Sequence, residues 1–197
     1  MRIRIIVALL ALLLGNPLAF GADGREADRQ QLLTILDEIE RGINDGNIDL
    51  MARHIEEKAV VTWLNAEVSQ GPDGVRAYFK KMVGSGPETV LSKYVTHPKL
   101  AQPAQFYGDV AVANGTTEDE FTPHRRSVFK FNSRWTATLL KKEGQWKIIA
   151  LNLSTNTFDN VLITELERYA VYAGIGGALG GMILVAGWCY LRRRKRA

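Results

Sequence analysis

The chain has a single cysteine, Cys189, and therefore no disulfide framework of its own. Its three histidines, His54, His97 and His124, are far apart, and no His-x-His or Cys-x-x-Cys pair exists, so the sequence names no metal site. No glycine-rich phosphate loop is present either. Gly84-Ser85-Gly86 runs into Pro87 and a strand-like stretch, not into a helix N-terminus, and no cofactor is implied. A basic face is missing too, despite a net charge of +4 and a pI near 9.2. Arg2 and Arg4 at one end, and Arg192, Arg193, Arg194, Lys195 and Arg196 at the other, account for the whole excess. Between them acidic residues outnumber basic ones, which argues against a nucleic-acid footprint. With 46% hydrophobic and 23% charged residues, the chain is composed to bury a core and not to remain disordered.

Two apolar runs are present. Residues 1–21 read as a signal peptide: Arg2 and Arg4 precede an unbroken apolar stretch over 5–14, and Asn16-Pro17 then breaks it. Ala19 and Gly21 favour cleavage after Gly21, because cleavage after Ala22 puts bulky Phe20 at the −3 position; both remain open. Residues 169–191 carry no charge and are long enough to cross a bilayer as a helix. Tyr169, Tyr172, Trp188 and Tyr190 stand near the ends of that run, where aromatic rings favour the headgroup level. The basic tail 192–197 follows at once and marks the cytoplasmic side. The expectation is a single-pass cell-membrane protein with its N-terminal domain extracytoplasmic, periplasmic in a Gram-negative cell. Gly176/Gly180 and Gly177/Gly181 set two small-xxx-small pairs on one helix face, a spacing that lets a second helix approach. Residues 159–168 are expected to continue helically into the membrane.

The folded part is then 22–158. Apolar positions Leu32, Leu33, Ile35, Leu36, Ile39 and Ile43 recur at helical spacing over 26–43, and Asp45-Gly46-Asn47 ends that helix. A short helix follows over 48–54, then a strand over 58–64 with a brief return strand. Pro72, ahead of Val75, Tyr78, Phe79 and Met82, starts a third helix. From residue 89 onward only strand patterns occur: 89–105, where Pro98 and Pro103 indicate edge or bulged positions, then 109–120, 127–142 and 146–155. Helices first and a meander of strands afterwards predicts an α+β domain with the helices on one sheet face.

That order resembles the NTF2-like superfamily, which includes SnoaL-like cyclases and ketosteroid isomerase. The resemblance is carried by the helix pair through Gly46, the Trp63 strand and Gly71-Pro72-Asp73-Gly74-Val75-Arg76-Ala77-Tyr78-Phe79. Also contributing are 108–115, Arg134-Trp135-Thr136, and the closing Gly144-Gln145-Trp146-Lys147-Ile148. It spans residues 28–156 and implies a curved, mostly antiparallel sheet wrapped around a conical cavity, often in a homodimer. The fold hosts enzymes, carriers and interaction modules alike.

Within such a cone the polar and aromatic candidates for the lining are Trp63, His97, Asn114, Arg134, Thr136 and Asn152. Isomerase or cyclase chemistry needs a carboxylate or histidine tuned by an apolar pocket. Glu67 and His97 are the candidates for that role, and Glu67 stands with Asn65 near the first strand, where ketosteroid isomerase carries its aspartate base. Near the last strand, where many relatives carry a histidine, stands Asn152, which cannot shuttle protons. Glu118, Asp119 and Glu120 read as a solvated strand end, and His124-Arg125-Arg126 as a solvated loop. The functional expectation is a membrane-anchored module that binds a small apolar ligand or a protein partner without clear catalytic residues. The alternative is a tethered isomerase-like or cyclase-like enzyme acting on a lipophilic substrate.

Overall fold

The computed structural model describes residues 24–158 and 161–194. The expected signal peptide, and Lys195 and Arg196 of the tail, lie outside the described residues. Helix α1 spans Glu26–Asn44, α2 Asp49–Ala52 and α3 Gly71–Met82. Strands β1 (Ile55–Thr62) and β2 (Val68–Gln70) flank the turn before α3. After α3 come β3 (Leu91–Leu100), β4 (Gln105–Tyr107), β5 (Val110–Pro123), β6 (Phe129–Lys142) and β7 (Gln145–Thr155). Helix α4 (Val161–Arg194) closes the chain.

The strands form one sheet in the order β2-β1-β7-β6-β5-β3, with β4 paired to β5 off that path. Among the described strands β1 and β7 pair in parallel and the other strand pairs are antiparallel. The ladders shift register between Ile55 and Val60 in β1 and between Thr138 and Leu139 in β6. Such irregularities bend strands and tighten their twist, and here they accompany the curl of the sheet around α1. Pro98 sits in β3 at the sheet's edge, where its missing N–H breaks no interior ladder.

The core lies between the concave sheet face and the helices. Leu32 and Ile35 of α1 meet Val61, Ala111, Leu139, Trp146 and Ile148, with Met51 and Val75 closing the side. Burying each large aliphatic side chain contributes about 2 kcal/mol. Trp63 stacks on Tyr78 at 4.3 Å between ring centroids and donates its indole N–H to Ser69 Oγ at 2.8 Å, fixing α3 to the end of β1. Asn44 pins the far end of α1 to the edge strand, donating to the Thr96 carbonyl at 2.9 Å and accepting from the Thr96 N–H at 2.8 Å. Helix α4 is long and apolar enough over Ile163–Arg194 to cross a membrane, and its described side chains are almost all exposed.

Candidate functional site

Between α1 and the concave face lies an open cavity of about 550 Å³. Its helical wall is the apolar stripe of α1, chiefly Leu32, Ile35, Leu36 and Ile39. The sheet supplies Ala113, Trp135, Ala137, Leu139, Leu151 and Leu153, with Trp63 also in the wall. The space exists because Ala113 and Ala137, a cross-strand pair, project almost nothing from the floor. At the mouth, exposed Glu26, Gln30 and Leu33 face Gln102 and Pro103, and Arg29 spans it by donating to the Ala104 carbonyl at 3.0 Å.

One part of the wall is polar. Tyr94, Thr96 and Thr117 line the cavity, and all three hydroxyls converge on Asp119 Oδ1, at 2.9, 2.7 and 3.1 Å. The two threonine hydroxyls lie 2.7 Å from each other. Asp119 is 1% exposed, so the expectation of a solvated acidic strand end fails for this residue. Alternation explains it: Glu118 and Glu120 point out and pair with Lys99 and Lys130, while Asp119 points in. Its Oδ2, and the hydroxyl of buried Ser133, have no hydrogen-bond partner among the described residues. Burial pushes the Tyr94 phenol well above its ordinary pKa, and the neighbouring Asp119 carboxyl adds to that.

The remaining sequence candidates stand elsewhere. His97, Asn114, Arg134, Thr136 and Asn152 are not in the cavity wall; their strand neighbours Thr96, Pro98, Ala113, Trp135, Ala137, Leu151 and Leu153 are. Asn114 pairs with Thr136, Thr136 with Asn152, and Asn152 with Thr62, so these residues form a polar row across the outer face. His97 is exposed, its Nδ1 2.8 Å from Glu40 Oε1. Glu67 sits in the β1–β2 turn, held by Lys81 Nζ at 2.7 Å, also outside the cavity. The correction is one residue of strand phase: choosing the polar members of each strand selects the face turned away from the core. A Cβ added to Gly176, Gly177, Gly180 or Gly181 would meet nothing, so that face of α4 is open.

Asp28 is a further residue that the sequence pattern passed over. It is buried in the first turn of α1, where it accepts from Lys141 Nζ at 2.6 Å and from the Trp146 indole at 2.9 Å. The tryptophan of the closing Gly-x-Trp motif therefore ties α1 down over the cavity. Glu38 and His54 form a second close carboxylate–imidazole pair outside the cavity. There burial lowers the His54 pKa and the Glu38 contact opposes it.

The α+β fold, with its curved sheet closed by helices, is of the NTF2-like class. No protein-family model and no curated protein matches the sequence. Solved structures do match in fold. A type 2 hexachlorocyclohexane dehydrochlorinase, LinA, superposes with a TM-score of 0.60 at 16% identity, covering 70% of this chain and 90% of that one. A ketosteroid isomerase-like protein from Erwinia carotovora atroseptica gives 0.56 at 16% identity, covering 67% and 98%. An NTF2-like superfamily protein from Salmonella enterica serovar Typhimurium gives 0.53 at 16% identity, covering 66% and 91%. At these identities the likeness is one of fold.

Proposed function

We propose that the chain is a membrane-anchored NTF2-like domain that binds a small apolar molecule in its cavity without transforming it. The observation that carries this reading is the cavity itself. About 550 Å³ of space walled by aliphatic and aromatic side chains lies within the range of small-molecule sites. An interaction module with no ligand has no use for such a space, and close packing would ordinarily fill it. Helix α4 serves as the anchor, with Arg192, Arg193 and Arg194 on the cytoplasmic side and the cavity outside the cytoplasm.

The mouth faces away from the anchor. Asp28, one turn from the mouth residues, is bonded to Lys141 and Trp146 at the β6–β7 turn, whereas the chain leaves for α4 from Thr155 at the opposite end of β7. Exchange with a donor in the aqueous space fits this geometry better than uptake from the bilayer below. Ala137→Phe, which projects a ring from the floor, is expected to weaken ligand affinity about tenfold, equivalent to roughly 1.4 kcal/mol, and so to lower the bound fraction, while leaving the melting temperature within a few degrees. Native mass spectrometry of the full chain released from detergent reads the bound mass directly. Full occupancy retained by the variant would place the ligand elsewhere; Ala113→Leu serves if the first variant folds poorly.

A second reading, a tethered enzyme, is favoured by one observation: Asp119, the carboxylate held behind the cavity wall by Tyr94, Thr96 and Thr117. Asn is nearly isosteric and can still accept at Oδ1, so Asp119→Asn separates chemistry from binding. Under the enzymatic reading, turnover of a bound ligand falls about a hundredfold or more. Under the reading preferred above, the bound molecule is recovered chemically unchanged from both proteins.

A further inference from the structure

We propose that the tip of the β5–β6 hairpin rests on an anionic lipid surface, so that the domain contacts the bilayer at a second point beside its helix. The inference rests on the reading of α4 as a membrane anchor. Strand β7 ends at Thr155, paired with Ser133, but β6 begins four residues further on, at Phe129, and β5 continues to Pro123. The hairpin thus projects about 13 Å past the point where the chain turns toward α4. Helix α4 begins at Val161, touches β6, and otherwise leads away from the domain. From there to Tyr169, the first residue of the uncharged run, the helix rises about 12 Å. The overhang and the juxtamembrane rise are therefore comparable, and both lie at the same end of the sheet.

The chemistry of the tip suits a headgroup layer. Arg125 and Arg126 are exposed and make no ion pair among the described residues. The nearest strand acid, Glu120, is neutralised by Lys130 at 3.0 Å. Lys93 on the adjoining strand is also exposed, and Glu88 is the one exposed acid in the adjacent 84–90 loop. That loop is tied to the tip, Thr89 Oγ1 lying 2.9 Å from His124 Nε2. Two valines are left uncovered beside this charge, Val128 at 50% and Val90 at 52% exposure. Phe121 and Phe129 stack beneath, 5.4 Å between centroids, and hold the tip in shape. Basic side chains around small exposed apolar ones are what a phosphatidylglycerol surface binds.

The test uses the full chain in nanodiscs of phosphatidylcholine, with or without one-third phosphatidylglycerol. Cys189 is replaced by alanine and a nitroxide is placed by Ser127→Cys, Leu179→Cys or Glu143→Cys. In anionic discs, collision of the label at position 127 with a water-soluble relaxant is expected to fall at least about twofold relative to neutral discs. Arg125→Glu with Arg126→Glu should restore it, while the label at 143 stays aqueous throughout. A label at 127 as wet as that at 143, with the label at 179 in hydrocarbon, overturns the tip contact alone. A wet label at 179 removes the anchor and this proposal with it. Lipid contact at 127 that ignores both charge reversal and phosphatidylglycerol overturns the electrostatic basis.

Discussion

Replacing Asp28 with alanine is expected to lower the unfolding free energy of the domain by about 4 kcal/mol. This carboxylate joins elements more than a hundred residues apart: Oδ1 accepts from Lys141 Nζ and from the Trp146 indole, and Oδ2 accepts from Arg25 at 3.0 Å. Trp146 is 2% exposed, so without Asp28 its N–H is left buried and unpaired, and water cannot take the place of the lost acceptor. Lys141, at 28% side-chain exposure, can swing outward, but it then gives up its contact with the Trp146 ring. The first turn of α1 also loses an acid at its positive end. Urea unfolding at neutral pH measures the difference, and a loss below about 1 kcal/mol would show that the network adds little.

The same residue sets an acid limb. The hydrogen bond from Lys141, and next that from Trp146, outweigh desolvation and lower the Asp28 pKa from 3.8 to about 2. A carboxyl depressed on folding contributes its stability above its unfolded pKa and loses it as pH falls through the folded one. Between pH 4 and pH 2 the natural chain should therefore lose roughly 2 kcal/mol that Asp28→Ala does not lose. The two stability curves converge toward acid.

Asp28 also shows which parts of the structure a sequence can disclose. The α1 stripe was legible because Leu32, Ile35, Leu36, Ile39 and Ile43 obey one period, and the strands because their apolar and polar residues alternate. The NTF2-like fold follows from the order of those segments. The cavity's lining was legible in principle, since Trp135, Ala137 and Leu139 are the apolar phase of β6 and the core must lie on their side. The polar residues Arg134 and Thr136 are one residue out of phase with that lining and lie on the other face. Asp119 was hidden by its neighbours: alternation turns one of three successive acids to the opposite face, but an acidic run as a whole suggests a solvated strand end. Asp28 was hidden differently. Its partners lie on β6 and β7, and no local pattern encodes a contact across that distance.

Gly115→Ala should destabilise the domain by about 3 kcal/mol, although alanine is no poorer a strand residue than glycine. Gly115 lies in β5 between Leu100 of β3 and Trp135 of β6. A methyl group there would collide with the Lys99 carbonyl oxygen and come within 2.7 Å of the Trp135 ring. Neither obstacle yields easily. The carbonyl is backbone in the edge strand, and the indole is 8% exposed and donates to the Thr116 carbonyl at 3.2 Å. The strand must move, and β3 carries Tyr94 and Thr96, so the polar wall of the cavity moves with it. Stability and ligand occupancy should therefore fall together, whereas Ala137→Phe is expected to lower occupancy alone. A Gly115→Ala chain that melts like the natural protein but binds nothing would mean that β3 gives way at little cost, and the edge strand would then have to be regarded as a flexible side of the cavity.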